Sequence, residues 1–340
     1  MTTKTRVIGD GRVEDSAVKA LFFDRFGGPE VLRYGALPDQ ALDAGSVLVE
    51  TSAVGLNFAD IYRRQGVYLL EGKAPWIGGY EGVGRIVAVG TGVDRWRIGQ
   101  RVGFLDVPRA HAARVCAPAD RLVALPDDVD DRTAAALLLQ GVTAQYLVED
   151  SGRLAAGDQV LVQAASGGVG RLLTQMAAAL GAEVHALAST PSKREQARSN
   201  GASAVYGYDD WVAQVRRATG DGVDVVYDSI GTTLHDSLAA LRPGGRVVIF
   251  GKAGGTPPAI DPLSLMEQSK GVVGGDLWTY LNRAESRQSR ADRLFAALRA
   301  GMITAPVITT FPLSEGAVAH RLLEDRNFAG KIVLIPDGLR

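Results

Sequence analysis

The stretch Gln159-Val160-Leu161-Val162-Gln163-Ala164-Ala165-Ser166-Gly167-Gly168-Val169-Gly170 runs directly into Arg171-Leu172-Leu173-Thr174-Gln175-Met176-Ala177-Ala178-Ala179-Leu180-Gly181. Its residues predict a buried strand, a turn made almost without side chains, and a helix closed by Gly181. Small residues let such a turn fold tightly and let a ligand approach the backbone, while the N–H groups at the helix start attract a pyrophosphate. The dinucleotide fingerprint G-x-G-x-x-G is met imperfectly, because Ala165 stands at its first position. A glycine-rich turn also occurs in α/β proteins that bind no nucleotide, so the neighbouring segments decide.

Those segments repeat the pattern. A second strand is expected from Glu183 to Ser189, then a polar helix from Pro191 to Asn200 ended by Gly201, and a third strand from Ser203 to Tyr208. Asp209 or Asp210 would cap a helix from Trp211 to Ala218, which Gly220 ends. Val223 to Asp228 reads as a fourth strand, Thr232 to Leu241 as a helix and Gly245 to Gly251 as a fifth strand. Valine-rich strands alternating with helices imply right-handed crossovers and a parallel sheet. The expected class is therefore α/β, a Rossmann doubly wound parallel sheet with the glycine loop opening its first unit.

The choice of dinucleotide is read at the end of the second strand, where an acid would normally bind the adenosine ribose 2′-OH. This chain has Ala188-Ser189-Thr190 there, followed by Pro191-Ser192-Lys193-Arg194. No acid is present and two cations follow, as a 2′-phosphate requires. Ser189, Thr190, Lys193, Arg194 and the hydroxyl of Tyr208 are thus the expected 2′-phosphate contacts, and the cofactor is NADPH. Two such charges can also simply open a solvated helix.

With 340 residues, 46% of them hydrophobic, the chain can build two domains with real cores. A net charge of −1 offers no broad basic surface for nucleic acid or anionic membrane. Apolar runs such as Thr133 to Leu139 are too short to span a bilayer. Residues 1–16 are polar and mixed in charge, without the apolar core of a secretory signal, which suggests a flexible extension on a cytoplasmic enzyme. The single cysteine, Cys116, allows no internal disulfide and reads as a small core residue. His111, His185, His235 and His320 stand at no metal-ligand spacing from one another.

Before residue 139 the chain changes character. Val18 to Phe23, Ser46 to Thr51, Gly84 to Val89, Arg101 to Phe104 and Arg121 to Leu125 alternate apolar and polar residues between Gly, Pro and Asp, predicting a compact β-barrel. The tail repeats the pattern with a strand from Thr304 to Phe311, a helix from Gly316 to Glu324 and a strand from Lys331 to Ile335, so it is expected to complete that first domain.

Seven blocks in order then carry a resemblance: Phe26-Gly27-Gly28-Pro29-Glu30-Val31-Leu32, Val54-Gly55-Leu56-Asn57-Phe58-Ala59-Asp60, Gly78-Gly79-Tyr80-Glu81-Gly82-Val83-Gly84, Gln140-Gly141-Val142-Thr143-Ala144, the loop Ala164 to Gly170, Val225-Val226-Tyr227-Asp228-Ser229-Ile230-Gly231, and Gly330-Lys331-Ile332-Val333-Leu334. From Val18 to Pro336 the chain resembles the medium-chain dehydrogenase/reductase superfamily, in particular its zinc-free quinone oxidoreductase branch, which includes the zeta-crystallin-like proteins. The resemblance implies a GroES-like catalytic domain of residues 17–139 and 283–340, a Rossmann domain of residues 140–282, and a homodimer paired through Gly271 to Gly275.

Zinc-dependent relatives carry Cys-His where this chain has Asn57 and Phe58, and Gly-His-Glu where it has Gly79-Tyr80-Glu81, so neither thiolate nor imidazole stands at those positions. The implied chemistry is hydride transfer to an already activated acceptor, a quinone or the β-carbon of an enone, with donors aimed at the developing oxyanion. By the same resemblance Asn57, Tyr62 and Tyr68 would be catalytic, Asn57 lying beside the nicotinamide and the tyrosines lining the acceptor pocket. The implied cofactor contacts are Asn57, Gln140, Thr143, Ser166, Gly167, Gly168, Val169, Ser229, Gly231, Phe250, Gly251, Lys252, Ala253 and Lys331. The partner is a small molecule, with no nucleic acid or membrane and no metal.

Three other readings stay open on sequence. An enoyl-thioester reductase would use the same cofactor, and a structural protein could retain NADPH without turnover. The strand-turn-helix setting of Ser166 also echoes the nucleophile elbow of α/β-hydrolases, with His235 or His320 as base.

Overall fold

Six parallel strands form one sheet in the order Ala204–Tyr206, Glu183–Leu187, Gln159–Val162, Val223–Asp228, Leu241–Ile249 and Gly271–Gly274. In chain order this is third, second, first, fourth, fifth, sixth, so the direction of winding reverses between Gln159–Val162 and Val223–Asp228. The carboxyl ends of those two strands mark the switch point at which such sheets bind ligands. Leu161, Val226, Val247, Trp211, Val215 and Leu234 pack together in the core beneath. Each fully buried apolar side chain of this size contributes about 1.5–3 kcal/mol.

The computed structural model describes residues 17–325 and 328–338; the expected N-terminal extension, residues 1–16, lies outside them. Two units pack separately: Met1–Leu139 with Leu281–Asp292 and Ala305–Arg340, and Gln140–Tyr280 with Arg293–Thr304. The sequence reading assigned all of residues 283–340 to the first, whereas Arg293–Thr304 packs with the parallel sheet. The reason lies in specific contacts. Arg293 makes paired bonds to Glu149 at 3.0 Å, and the Thr304 N–H donates to Gln175 Oε1 at 2.7 Å. Gly141 lies so close to Leu294 that a Cβ would fall 2.4 Å from its side chain.

Helices Gly168–Ala179, Pro191–Ser199, Trp211–Thr219 and Leu234–Ala240 fall where the pattern places them. Two long helices, Asp131–Tyr146 and Ala284–Arg299, were not read from sequence. The first continues into a widened turn at Leu147–Gly152, stopped by Arg153 in the left-handed region at φ 51°. Asp210 precedes its helix but has φ 51° and no side-chain cap bond; instead Gln214 reaches back to the Asp209 carbonyl.

The first unit is antiparallel apart from one parallel pair at its edge. Its larger sheet runs Ile308–Pro312, Lys331–Ile335, Ser46–Gly55, Glu81–Val89, Arg101–Leu105 and Leu122–Ala124, with Arg114–Pro118 also on Ser46–Gly55. A smaller sheet joins Arg33–Pro38, Ala17–Phe23 and Trp76–Ile77. Val47, Val49, Ile86, Trp96, Val102 and Phe104 fill the core between strands. The tail strand begins at Ile308 rather than Thr304, because Thr304 belongs to the second unit, where its N–H donates to Gln175. Lys331–Ile335 returns beside Ser46–Gly55, with Val333 opposite Gly55, which brings Lys331 next to Asn57. Among the described residues no helix is long and apolar enough to cross a membrane.

Candidate cofactor site and active site

At the end of strand Gln159–Val162, Ala164 takes φ 47° and its carbonyl accepts the Gly167 N–H at 2.8 Å, folding the chain back on itself. The helix starts at Gly168, and the first bond back along it is from Arg171 to the Gly167 carbonyl at 2.9 Å. The N–H groups ahead of Arg171 have no partner within the helix, and they carry the positive end of its dipole. A Cβ on Gly170 would sit 2.3 Å from the Ala164 carbonyl oxygen, so the turn closes only over glycine. Gly168 rests against the Gln140 carboxamide, 2.4 Å from where its Cβ would be. Gln140 and Thr143, one turn apart on helix Asp131–Tyr146, are both half-buried, as are Ser166 and Val169; Gly167 is exposed. The turn is a cradle for a group with no room for side chains, and that fits a dinucleotide pyrophosphate.

Beyond the second strand, Thr190 caps the helix Pro191–Ser199 by accepting the Lys193 N–H at 3.2 Å. Arg194 folds back so that its guanidinium donates to the Ala188 carbonyl at 3.2 Å and lies 3.5 Å from that of Ser189. Half-burial lowers the pKa of Lys193. Cations therefore gather at the strand end where Ala188, Ser189 and Thr190 provide no carboxylate. The hydroxyl oxygen of Tyr208 accepts the Ala164 N–H at 3.1 Å, tying the third strand to the start of the glycine turn, and its O–H proton remains a donor. Burial raises its pKa.

A network not anticipated from sequence holds the neighbouring loops. Asp228 is fully buried; its Oδ1 accepts the N–H groups of Ile230 and Gly231, each at 2.8 Å, and its Oδ2 accepts the hydroxyls of Ser237 at 2.8 Å and Thr233 at 3.1 Å. Gln163 closes the ring, accepting from Thr233 and donating to Ser237, both at 2.8 Å. The signal was an aspartate at a strand end two residues before a backbone turn, a common Asx arrangement. Against this loop packs the next one: the Phe250 N–H donates to the Asp228 carbonyl and the Ala253 N–H to the Ser229 carbonyl, each at 3.0 Å. Ser229, Gly231, Phe250, Gly251, Lys252 and Ala253 thus form one surface at the carboxyl edge of the sheet.

In the first unit, Asn57 precedes helix Phe58–Arg64, and its backbone N–H donates to Asp60 Oδ2 at 2.9 Å. Its side chain also reaches the neighbouring strands. Asn57 Nδ2 donates to Glu81 Oε1 at 2.7 Å, while the Lys331 ammonium donates to Asn57 Oδ1 at 2.8 Å and to Glu81 Oε1 at 2.7 Å. Glu81 Oε2 accepts the Leu139 N–H at 2.9 Å. All three side chains are buried. Tyr62 is half-buried beside Phe58, and Tyr68 is exposed. Arg63 joins Tyr68 to Tyr80, its guanidinium lying 4.9 Å from the Tyr68 ring centre and 3.5 Å from that of Tyr80. Burial raises the Tyr80 pKa, opposed by the Arg63 charge.

His111, His185 and His320 are buried, and His235 is exposed. His320 accepts from Arg64 at Nδ1 over 3.4 Å and meets His111 edge-on at 6.2 Å. Burial lowers the pKa of both, that of His320 well below its usual value. Among the described residues no group of three or more His, Cys, Asp and Glu is placed to hold a metal ion.

Residues 43–156 match the alcohol dehydrogenase GroES-like domain family and residues 168–289 the zinc-binding dehydrogenase family. The fold is similar to the crystal structure of a Pseudomonas syringae quinone oxidoreductase, with a TM-score of 0.91 and 37% identity over 94% of this chain and 100% of that one. The chain belongs to the quinone oxidoreductase family of medium-chain dehydrogenases/reductases. A second member in the same range is the 2-haloacrylate reductase of a Burkholderia species, 36% identical over 94% of this chain and 99% of that one. Escherichia coli quinone oxidoreductase, solved complexed with NADPH, is 33% identical with a TM-score of 0.87, covering 94% of this chain and 100% of that one. Membership removes the hydrolase reading of Ser166.

Proposed function

We propose that the protein is a cytoplasmic, NADPH-dependent reductase that delivers hydride to a quinone or to the β-carbon of an α,β-unsaturated carbonyl without zinc. The observation that carries the cofactor assignment is the glycine turn at a helix start combined with Lys193 and Arg194, and no carboxylate, at the end of the second strand. The NADPH complex of the Escherichia coli relative supports it. NADPH, when bound, supplies the hydride. The N–H groups of Gly168 and Val169, with Ser166, would hold its pyrophosphate. Ser189, Thr190, Lys193 and Arg194 would hold the 2′-phosphate, while Ser229, Gly231 and the Phe250 to Ala253 turn border the ribose and nicotinamide half together with Gln140 and Thr143.

Zinc does not fit the residues present. Where the zinc-dependent relatives have cysteine and histidine, this chain has Asn57 and Tyr80, and the Lys331 ammonium already lies 2.8 Å from Asn57 Oδ1. A dication there would be repelled by that charge, the nearby Glu81 carboxylate is already bonded to Lys331, Asn57 and the Leu139 N–H, and neither a thiolate nor an imidazole stands at the two positions. Activation of the acceptor falls instead to hydrogen-bond donors, with Asn57 as the amide donor and Tyr62 and Tyr68 lining the acceptor pocket. We further propose a homodimer formed through Gly271–Gly274, which among the described residues is the last strand of its sheet and presents an edge to a partner.

The test is a screen of NADPH oxidation against 1,2-naphthoquinone, 1,4-benzoquinone, a 2-haloacrylate, simple alkenals and crotonyl thioester. Turnover with a quinone or free enone supports the proposal. Turnover confined to the thioester would move the assignment to enoyl-thioester reduction, and tight NADPH binding with no turnover would favour a structural protein.

A further inference from the structure

We propose that Lys331 and Glu81 are positioning residues for Asn57, fixing which end of its carboxamide is presented to the acceptor. The inference rests on the reading that Asn57 acts at the reacting centre. It gives Lys331 a role through Asn57 in place of a direct contact with the cofactor.

Asn57, Glu81 and Lys331 form a closed triangle: the ammonium donates to Asn57 Oδ1 at 2.8 Å and to Glu81 Oε1 at 2.7 Å, and Asn57 Nδ2 donates to the same Oε1 at 2.7 Å. A side-chain amide has two nearly isosteric ends, so packing alone does not choose between its flipped states. Here an ammonium, which can only donate, faces one end, and a carboxylate, which accepts, faces the other. A flip would set the amide NH₂ against the ammonium and the amide oxygen against the carboxylate, breaking two charge-assisted bonds at once. With Oδ1 accepting from the ammonium and Nδ2 turned to the carboxylate, the polarity of the Asn57 carboxamide is set, and its N–H end is the one that can serve an acceptor's oxygen as a donor. That is the polarity an oxyanion requires.

The cost of the arrangement also points to a positioning role. Lys331 is 1% and Glu81 0% exposed. Burying such a pair is a poor source of stability, and apolar residues of similar volume often serve as well. The surroundings are shaped for it nonetheless: a Cβ on Gly55 would fall 2.0 Å from Glu81 Oε1, and the Leu139 N–H binds the second carboxylate oxygen at 2.9 Å. Glu81 and Lys331 are the first residues of the two strands that flank Ser46–Gly55, and Asn57 lies just beyond the end of that middle strand, so the register of the three strands sets their separation. Asn57 is also held at its backbone by Asp60. Rigid elements of this kind fix a functional group better than a loop does.

The experiment is a mutant cycle on the full-length enzyme with NADPH and its best acceptor, using Asn57→Ala, the pair Glu81→Gln with Lys331→Met, and all three changes together. The paired change removes both charges and leaves no lone ion buried. Since a misplacement of 1 Å can cost about 100-fold, the pair is expected to lower kcat by at least about tenfold while the NADPH Kd moves less than about threefold. In the Asn57→Ala background the same pair should change kcat by less than about twofold, because nothing is left to position. Lys331→Arg, which keeps the charge, is a second probe should the pair fold poorly; it should lower kcat without changing the NADPH Kd. Unchanged kcat in the pair or in Lys331→Arg, or an undiminished effect of the pair without Asn57, would overturn the inference. Unchanged kcat in Asn57→Ala alone would instead remove the reading of Asn57 on which it rests.

Discussion

The hydroxyl of Tyr208 accepts the backbone N–H of Ala164 at 3.1 Å, so a side chain from the end of the third strand holds the first residue of the glycine turn. Tyr208→Phe would remove this acceptor and leave a partly buried N–H unpaired. Such a loss costs about 1–3 kcal/mol, and because Ala164 sets the turn, part of it should appear as weaker NADPH binding, of roughly threefold to tenfold. Fluorescence titration of NADPH with the Phe variant measures this.

Two glycines of the turn should respond differently to one methyl group. Gly170→Ala drives its Cβ against the Ala164 carbonyl, a backbone atom, at 2.3 Å, whereas Gly168→Ala meets the end of the flexible Gln140 side chain at 2.4 Å. Gly170→Ala is expected to lower Tm by several degrees and to abolish NADPH binding. Gly168→Ala should keep Tm close to that of the parent, because Gln140 can rotate away. Differential scanning fluorimetry of the two variants compares them.

Replacing Lys193 and Arg194 together by serine removes both cations from the end of the second strand. The KM for NADPH should rise about 10–100-fold while that for NADH changes less than about threefold, since a charge-assisted phosphate contact is worth about 1.5–3 kcal/mol only when the phosphate is present. Equal losses for the two cofactors would mean that the pair only supports the helix Pro191–Ser199.

Stability should fall in mild acid. His320 packs against Arg64 and His111, with Glu324 bonded to Arg64 at 2.5 Å, and Asp60, Glu81 and Lys331 act on His111. Burial lowers both imidazole pKa values in the folded state, so the unfolded chain takes up protons first. The stabilisation is therefore complete above the unfolded value of about 6.5 and is lost as pH falls below it. Tm measured from pH 8 down to pH 5 should decline most steeply below pH 6.5, and His320→Gln should flatten that decline even if it lowers Tm at neutral pH.

The parallel sheet was legible because its signals are local. Gly181, Gly201 and Gly220 end helices in the left-handed region, at φ 90°, 101° and 80°, and the valine-rich segments became strands of one parallel sheet. The cations after Ala188 were legible for the same reason. What escaped depends on distance along the chain. Glu81 and Lys331 are separated by 250 positions, and only the return of the tail strand beside Ser46–Gly55 brings them together. The contact between Gln163 and Thr233 spans 70 positions. Helix Ala284–Arg299 escaped because it begins in a polar, arginine-rich stretch whose apolar residues cluster near its end, and its division between units follows from contacts such as Arg293 with Glu149.

The most direct test of the account is the ratio of kcat/KM for NADPH to that for NADH, measured on the unmodified protein with a quinone and with an enone as acceptor. The proposed 2′-phosphate site, two cations and no carboxylate, predicts a ratio of at least about tenfold in favour of NADPH with either acceptor. A ratio near one, or a preference for NADH, would contradict it.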